Sequence, residues 1–112
     1  MYKILLTGSS GFIGSNILNS FSEKYKIFLV VRKKYQNKVF KNKNVRLIKY
    51  KSYESLNYKL KQIKVDAVIH CATHYVKNHE FSDLKKFCNS NILLGNIILE
   101  NLNIMGVTKF IN

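Results

Sequence analysis

The sequence predicts an α/β fold, a doubly wound parallel sheet with helices on both faces, cut off after its fifth strand. Three observations carry this expectation. Short apolar runs alternate along the chain with stretches whose apolar residues recur at helical spacing. Runs such as Ile27–Val31 are apolar at every position, as strands covered on both faces must be. A glycine-rich turn separates the first run from the first helical stretch. Parallel neighbours need long crossovers, and right-handed crossovers distribute the helices over both faces of the sheet.

The elements follow in order. Lys3–Thr7 is a short apolar run stopped by Gly8, the first strand. Gly11–Phe21 carries Phe12, Ile13, Ile17, Leu18 and Phe21, a helical stripe. Ile27–Val31 is the second strand and Val45–Tyr50 the third, separated by a polar, lysine-rich segment with the weakest pattern in the chain. Leu56, Leu60 and Ile63 space a helix of about two turns. Val65–Cys71 reads as the fourth strand, followed by a polar loop around residues 74–82. Asp83–Asn103 reads as one long amphipathic helix with apolar residues at Leu84, Phe87, Cys88, Ile92, Leu94, Ile98, Leu99 and Leu102. Val107–Ile111 begins the fifth strand.

Composition narrows the class. At 112 residues and 46% hydrophobic, the chain is one domain's worth and can fill a core. No stretch approaches the roughly 18 to 20 apolar residues of a membrane span, and the start is too short an apolar run for a secretory signal, so a cytoplasmic protein is expected. Cys71 and Cys88 sit among apolar residues without C-x-x-C spacing, which reads as reduced, buried thiols rather than a disulfide or zinc site. The formal net charge of +13 would attract phosphorylated ligands, anionic surfaces or nucleic acid. The cations are spread along the chain and accompany no nucleic-acid-reading motif, so a solvated surface is expected, with no nucleic-acid or membrane partner. His70 falls in the fourth strand, and His74 and His79 lie in a loop with only Glu80 and Asp83 near, so surface histidines are expected rather than a metal site. Asp66 reads as a turn residue and Tyr75 as a loop aromatic near the substrate side.

The glycine turn points to chemistry. Gly8, Gly11 and Gly14 form G-x-x-G-x-x-G between the first strand and the first helix. Gly8 allows the sharp turn, Gly11 lets a pyrophosphate approach the backbone, and Gly14 lets the helix lie close to the first or fourth strand. Amides at the helix start, at Phe12 and Ile13, would hold the phosphates with help from the dipole. Hydroxyls of Thr7, Ser9 and Ser10 gather at the same corner. A dinucleotide site usually presents an acidic residue to the adenosine ribose about 20 residues past the glycines. Here the second strand ends in Arg32-Lys33-Lys34, so a 2′-phosphate is favoured and the expected cofactor is NADP, with NAD the second choice.

Three motifs now stand in order: Thr7-Gly8-Ser9-Ser10-Gly11-Phe12-Ile13-Gly14, Asp66-Ala67-Val68-Ile69-His70-Cys71-Ala72-Thr73, and Asn91-Ile92-Leu93-Leu94-Gly95-Asn96-Ile97-Ile98-Leu99-Glu100. Together they resemble the extended short-chain dehydrogenase/reductases, the NAD(P)-dependent epimerase/dehydratase family. The resemblance implies a Rossmann-type sheet, with Cys71, Ala72 and Thr73 under the nicotinamide ribose and pyrophosphate and Asn91 at the family's helical asparagine. It implies hydride transfer between nicotinamide and a nucleotide-activated sugar, in surface polysaccharide assembly, by a homodimer formed through the long helix. Thr73-His74-Tyr75 and the basic end of the second strand look most like 4-reductases of the abequose or paratose synthase kind.

The departures are as informative. Where the family has an acidic residue beside adenine, this chain has Lys49-Tyr50-Lys51-Ser52, which leaves Ser52 or Tyr53 as candidates. The family's catalytic Y-x-x-x-K pair is missing, since none of the seven tyrosines has a lysine four residues on. No catalytic residue is therefore assigned. Residues 1–112 read as the N-terminal part of an NAD(P)-binding Rossmann domain without its substrate lobe, inactive alone and binding cofactor weakly or not at all. A non-catalytic NADP sensor, or a basic RNA-binding domain, would be the other uses of such a chain.

Overall fold

The computed structural model describes residues 1–32, 42–72, 78 and 80–112. The lysine-rich segment after the second strand, with Lys33 and Lys34, lies largely outside the described residues, as do Thr73, His74, Tyr75 and His79. Five parallel strands form one sheet in the order β3-β2-β1-β4-β5: β1 Lys3–Thr7, β2 Lys26–Arg32, β3 Val45–Tyr50, β4 Ala67–His70 and β5 Lys109–Ile111. The doubly wound sheet predicted from the sequence is present.

Strand alternation divides the core into two layers. Ile4 and Leu6 of β1, with Ile27, Leu29 and Val31 of β2, face Leu18 of helix α1 (Phe12–Phe21). Leu5 of β1, with Phe28 and Val30 of β2 and Val68 of β4, faces the other way. There they meet Leu56 and Leu60 of helix α2 (Tyr53–Leu60) and Leu94 and Ile98 farther along the chain. Both faces of the central strands are thus buried, which is why their sequences are apolar throughout. Helix α2 starts where Ser52 accepts the Ser55 amide at 3.2 Å and Ser55 Oγ accepts the Ser52 amide at 3.3 Å, a reciprocal cap.

The long helix expected over residues 83–103 is broken. Helix α3 (Asp83–Cys88) runs through a π-helical turn at Asn89–Leu93 into α4 (Leu94–Glu100), and α5 (Leu102–Met105) follows. The break at Asn101 has a visible cause. Its fully buried side chain donates to Ile97 O and to Asn57 Oδ1, both at 2.8 Å, which ties the end of α4 to α2.

Several packing expectations are corrected here. Cys88 is exposed and Cys71 only half-buried, because α3 buries none of its residues and Cys71 already lies beyond the strand. Phe12 and Ile13, counted in the apolar stripe of the first helix, are 85% and 65% exposed. Leu84, Ile92 and Leu99 are also exposed. His70 is not a surface histidine but is buried. Asp66 is a tie at the opposite end of the sheet, accepting the Lys3 amide at 2.8 Å and bonding Thr108 through its carbonyl. Both β4 and β5 are shorter than expected because residues 65, 66, 107 and 108 make connecting bonds outside the sheet ladder.

Candidate functional site

Strand β1 ends at Thr7 and the chain turns at once on Gly8, whose φ of +77° is strained for any other residue. A Cβ at Gly8 would lie 2.4 Å from the Cys71 carbonyl carbon and 2.5 Å from the Ala72 nitrogen. The turn therefore presses directly against the chain leaving β4. A Cβ at Gly14 would lie 2.0 Å from Gly8 O, so the close approach that Gly14 permits is to the glycine turn itself, while α1 packs on β1 farther along through Leu18.

Gly11 is different. A Cβ there would meet only Gly8 O, at an ordinary 3.5 Å, and its φ is −82°. Nothing in the described chain requires a glycine at that position. An open space beside an exposed backbone, at the start of a helix, fits the approach of a pyrophosphate. Helix α1 has no side-chain cap and no acidic residue in its first turn, so nothing among the described residues competes with an anion for the Phe12 and Ile13 amides. Ser10 is exposed at this corner, whereas Ser9 is buried.

The Thr7 hydroxyl, expected at the phosphate, is committed elsewhere. It lies 2.7 Å from His70 Nδ1 and accepts the amides of Cys71 and Ala72, each at 3.1 Å. Thr7 and His70 are register partners on β1 and β4, which puts their side chains at one level on one face. Burial lowers the His70 pKa from its ordinary value, so the ring is held neutral. Burial likewise pushes the Cys71 thiol up, away from a reactive thiolate.

Arg32 closes β2 as an exposed residue and pairs in register with Tyr50 at the end of β3. The Tyr50 and Tyr53 rings lie 5.9 Å apart at 33°. Burial raises the Tyr53 pKa, the neighbouring Tyr50 adds to it, and the nearby Arg32 charge offsets part of it. One guanidinium and two aromatic rings thus meet at the strand ends where a dinucleotide's adenosine would lie. The Ser52 hydroxyl accepts the Ser55 amide as the cap of α2; of the two candidates, Tyr53 is the one whose ring lies in this cluster.

On the other side of the glycine turn is an open cleft of about 500 Å³. His70, Cys71, Ala72, Asn91, Gly95 and Phe110 are among the residues lining it. It lies between the ends of β4 and β5 and the π-helical turn that carries Asn91. The structure therefore gathers Cys71, Ala72 and Asn91 at one cleft, sets Arg32 apart from them, and places the glycine turn against Cys71 and Ala72.

The sequence model of the NAD dependent epimerase/dehydratase family matches residues 4–112. The chain belongs to this family. Among curated relatives, the dTDP-D-glucose 4,6-dehydratase of Dictyostelium discoideum is 31% identical over 120 residues, covering 97% of this chain and 28% of the relative. Among solved structures, the Bordetella bronchiseptica enzyme WbmH in complex with NAD+ superimposes with a TM-score of 0.78 at 22% identity. That match covers 98% of this chain and 37% of WbmH. The UDP-glucose 4-epimerase of Thermotoga maritima, solved with UDP-glucose, has a TM-score of 0.74 at 23% identity, over 96% of this chain and 36% of the epimerase. The structural matches show the same fold. The chain spans about a third of the length of these relatives.

Within this family domain, the nucleotide-binding signals were legible as motifs, whereas two features were not. The role of His70 depends on its register with Thr7, and the hint was its place at the end of a central strand. The π-helical turn under Asn91 had no sequence signal, because apolar spacing does not distinguish one extra residue per turn. Such turns inside α-helices are often found at functional sites. Among the described residues no group of His, Cys, Asp and Glu could hold a metal, and no helix is long and apolar enough to cross a membrane.

Proposed function

We propose that the chain is the cofactor-binding half of an enzyme acting on a nucleotide-activated sugar in surface polysaccharide assembly, and that its cofactor is NADP. The single observation that carries the reading is the sorting of the glycines. Gly8 and Gly14 are required by the chain's own packing, whereas Gly11 opens onto space that a ligand can fill. The solved relatives that carry NAD or a UDP-sugar support the substrate class. The NADP preference is supported by Arg32, an exposed guanidinium where an NAD site would place a carboxylate.

In this reading the Phe12 and Ile13 amides and Ser10 hold the pyrophosphate, with Gly8, Gly11 and Gly14 shaping the loop. Arg32 takes the 2′-phosphate, and Tyr53 takes the place of the family's acidic residue beside adenine. Cys71, Ala72 and Thr73 support the nicotinamide ribose, and Asn91 reaches the cleft beside it. The bound nicotinamide would supply the hydride chemistry. No tyrosine here has a lysine four residues on, so the chain alone turns over no sugar and binds the cofactor only weakly. The complete enzyme is a cytoplasmic homodimer joined through the α3–α5 stretch, where Leu84, Ile92 and Leu99 stand exposed.

The test compares NADP with NAD as ligands of the chain, followed through backbone amide shifts so that weak binding is measurable. The expected result is tighter binding of NADP, with the largest shifts at residues 8–14, 32, 71 and 72. Arg32→Ala should cut that affinity by roughly tenfold to a hundredfold, the worth of a hydrogen bond to a charged group, and leave NAD within about threefold. Equal affinities for the two ligands would remove the NADP assignment, and shifts elsewhere in the chain would remove the site. Tight binding by the chain alone, without turnover, would favour a non-catalytic NADP sensor, which the missing pair also allows.

A further inference from the structure

His70 is a buried polar group for which the fold alone gives no reason. It is 8% exposed, its ring lies 6.4 Å from that of Phe110, and its Nε2 would sit 3.3 Å from a Cβ at Gly95. The ring's one hydrogen bond among the described residues is the 2.7 Å contact with Thr7 Oγ1.

The proton in that contact can be placed by counting. A threonine hydroxyl has one hydrogen and two lone pairs, and backbone amides only donate. Thr7 Oγ1 receives two amides, from Cys71 and Ala72. Both lone pairs are taken, so the hydroxyl hydrogen goes to His70 Nδ1. A neutral imidazole that accepts at Nδ1 carries its proton on Nε2.

We propose that His70 is a positioning residue for the cofactor seat: by accepting the Thr7 hydroxyl proton at Nδ1, it turns both lone pairs of Thr7 toward the Cys71 and Ala72 amides. The seat rests on the functional reading above, in which this turn supports the cofactor. The effect reaches the phosphate loop because the same turn is the wall against which Gly8 packs, with 2.4 Å from a Gly8 Cβ to the Cys71 carbonyl carbon.

The link is sensitive to acid. Among the described residues, what faces the ring is Thr7 from β1, Gly95 from α4 and Phe110 from β5, with the Cys71 thiol next in the chain, and none of these is a charged counterpart. A second proton at Nδ1 would meet the hydroxyl hydrogen. Thr7 would then have to accept from the ring and release one of its two amides. The folded-state pKa lies below the ordinary value, so this contribution to stability is complete above about pH 6.5 and is lost as pH falls through the folded-state pKa.

The experiment is imidazole nitrogen NMR on the histidine-labelled chain, with amide hydrogen exchange at Cys71 and Ala72. Three variants accompany it: His70→Asn, whose Oδ1 can replace Nδ1 as acceptor; His70→Gln, whose amide reaches toward Nε2; and His70→Phe, which keeps the ring shape. The expected result is an unprotonated Nδ1 and a protonated Nε2 at neutral pH. Exchange at the two amides should stay within about twofold in His70→Asn. It should rise roughly fivefold to tenfold in His70→Gln and His70→Phe, the worth of one net hydrogen bond. A protonated Nδ1 at neutral pH would overturn the proposal, as would equal exchange in His70→Asn and His70→Phe. If His70→Phe fails to fold, the tautomer of the native chain and the Asn to Gln contrast decide the matter. Normal tautomer and exchange results, with no NADP shifts at Cys71 and Ala72, would overturn the seat while leaving the His70–Thr7 link in place.

Discussion

Alanine at Gly14 and alanine at Gly11 should damage the protein in opposite ways. At Gly14 the new Cβ would sit 2.0 Å from Gly8 O and 2.6 Å from Gly8 C, both backbone atoms, so no rotamer change relieves the contact. Overpacking of this kind costs about 3 kcal/mol at the upper end of its usual range. Alanine's better helix propensity returns about 1 kcal/mol. The net loss is about 2 kcal/mol, or roughly 8 to 16 °C in Tm for a domain of this size. At Gly11 the new Cβ meets nothing closer than 3.5 Å, and the φ of −82° is ordinary. The weaker N-cap is offset by a stiffer unfolded chain, leaving stability within about 1 kcal/mol. Its methyl group would instead stand where the pyrophosphate passes, and NADP affinity should fall by at least about tenfold. Urea titrations followed by circular dichroism give the first quantity, and amide-shift titrations the second. Equal destabilisation by the two variants would make Gly11 structural and refute the reasoning, as would a Gly11→Ala chain that binds like the parent.

Other perturbations follow from the same geometry. Thr7→Val removes a hydroxyl that holds two amides and a ring nitrogen in a buried site, and should cost about 1 to 3 kcal/mol in a urea titration, with faster amide exchange at Cys71 and Ala72. Asn101→Ala leaves the Asn57 side chain without its partner and should cost a similar amount, with exchange increasing in both α2 and α4. Cys88 should react with an aromatic disulfide reagent well before Cys71, because one thiol is exposed and the other is half-buried with a raised pKa. The order can be read by mass spectrometry of the partly modified chain.

The sheet was legible in the sequence because burial on both faces leaves a signature that local pattern alone displays. Ile27–Val31 is apolar at every position for that reason, and the structure extends it by one residue at each end. The helices after β4 were legible only as an apolar stripe. Their division at Asn101 depends on a hydrogen bond to Asn57, a partner 44 residues away, and no window of sequence contains both. The stripe also overstated burial, because Leu84, Ile92 and Leu99 keep helical spacing yet are 44%, 58% and 48% exposed among the described residues. In the site, the glycines were visible as a motif, but their division of labour was not. That Gly14 answers to the turn itself is a fact about where α1 comes to rest. Thr7 was misread for a related reason: a hydroxyl next to a phosphate loop suggests a phosphate ligand until the strand opposite it is known to end in a histidine.

The two sides of the site differ in how firmly they are held, and this bears on how a ligand would be taken up. On the nucleotide side, β1 and β2 contribute residues to both core layers, and Leu5, Leu6, Ile27 and Leu29 are fully buried. The glycine turn is then clamped between α1 and the end of β4 by contacts that tolerate no added atom. A phosphate arriving there meets amides already in position, and little ordering cost is subtracted from its affinity. On the cleft side, α3 buries nothing, Ile92 and Leu99 are exposed, and Asn91 rides on a π-helical turn. Ordering that side must be driven by contacts made on binding, or by other protein surface. The Thr7–His70 pair sits at the boundary between them, on central strands but facing the cleft. That position makes it the point at which the rigid half of the site can fix the geometry of the looser one.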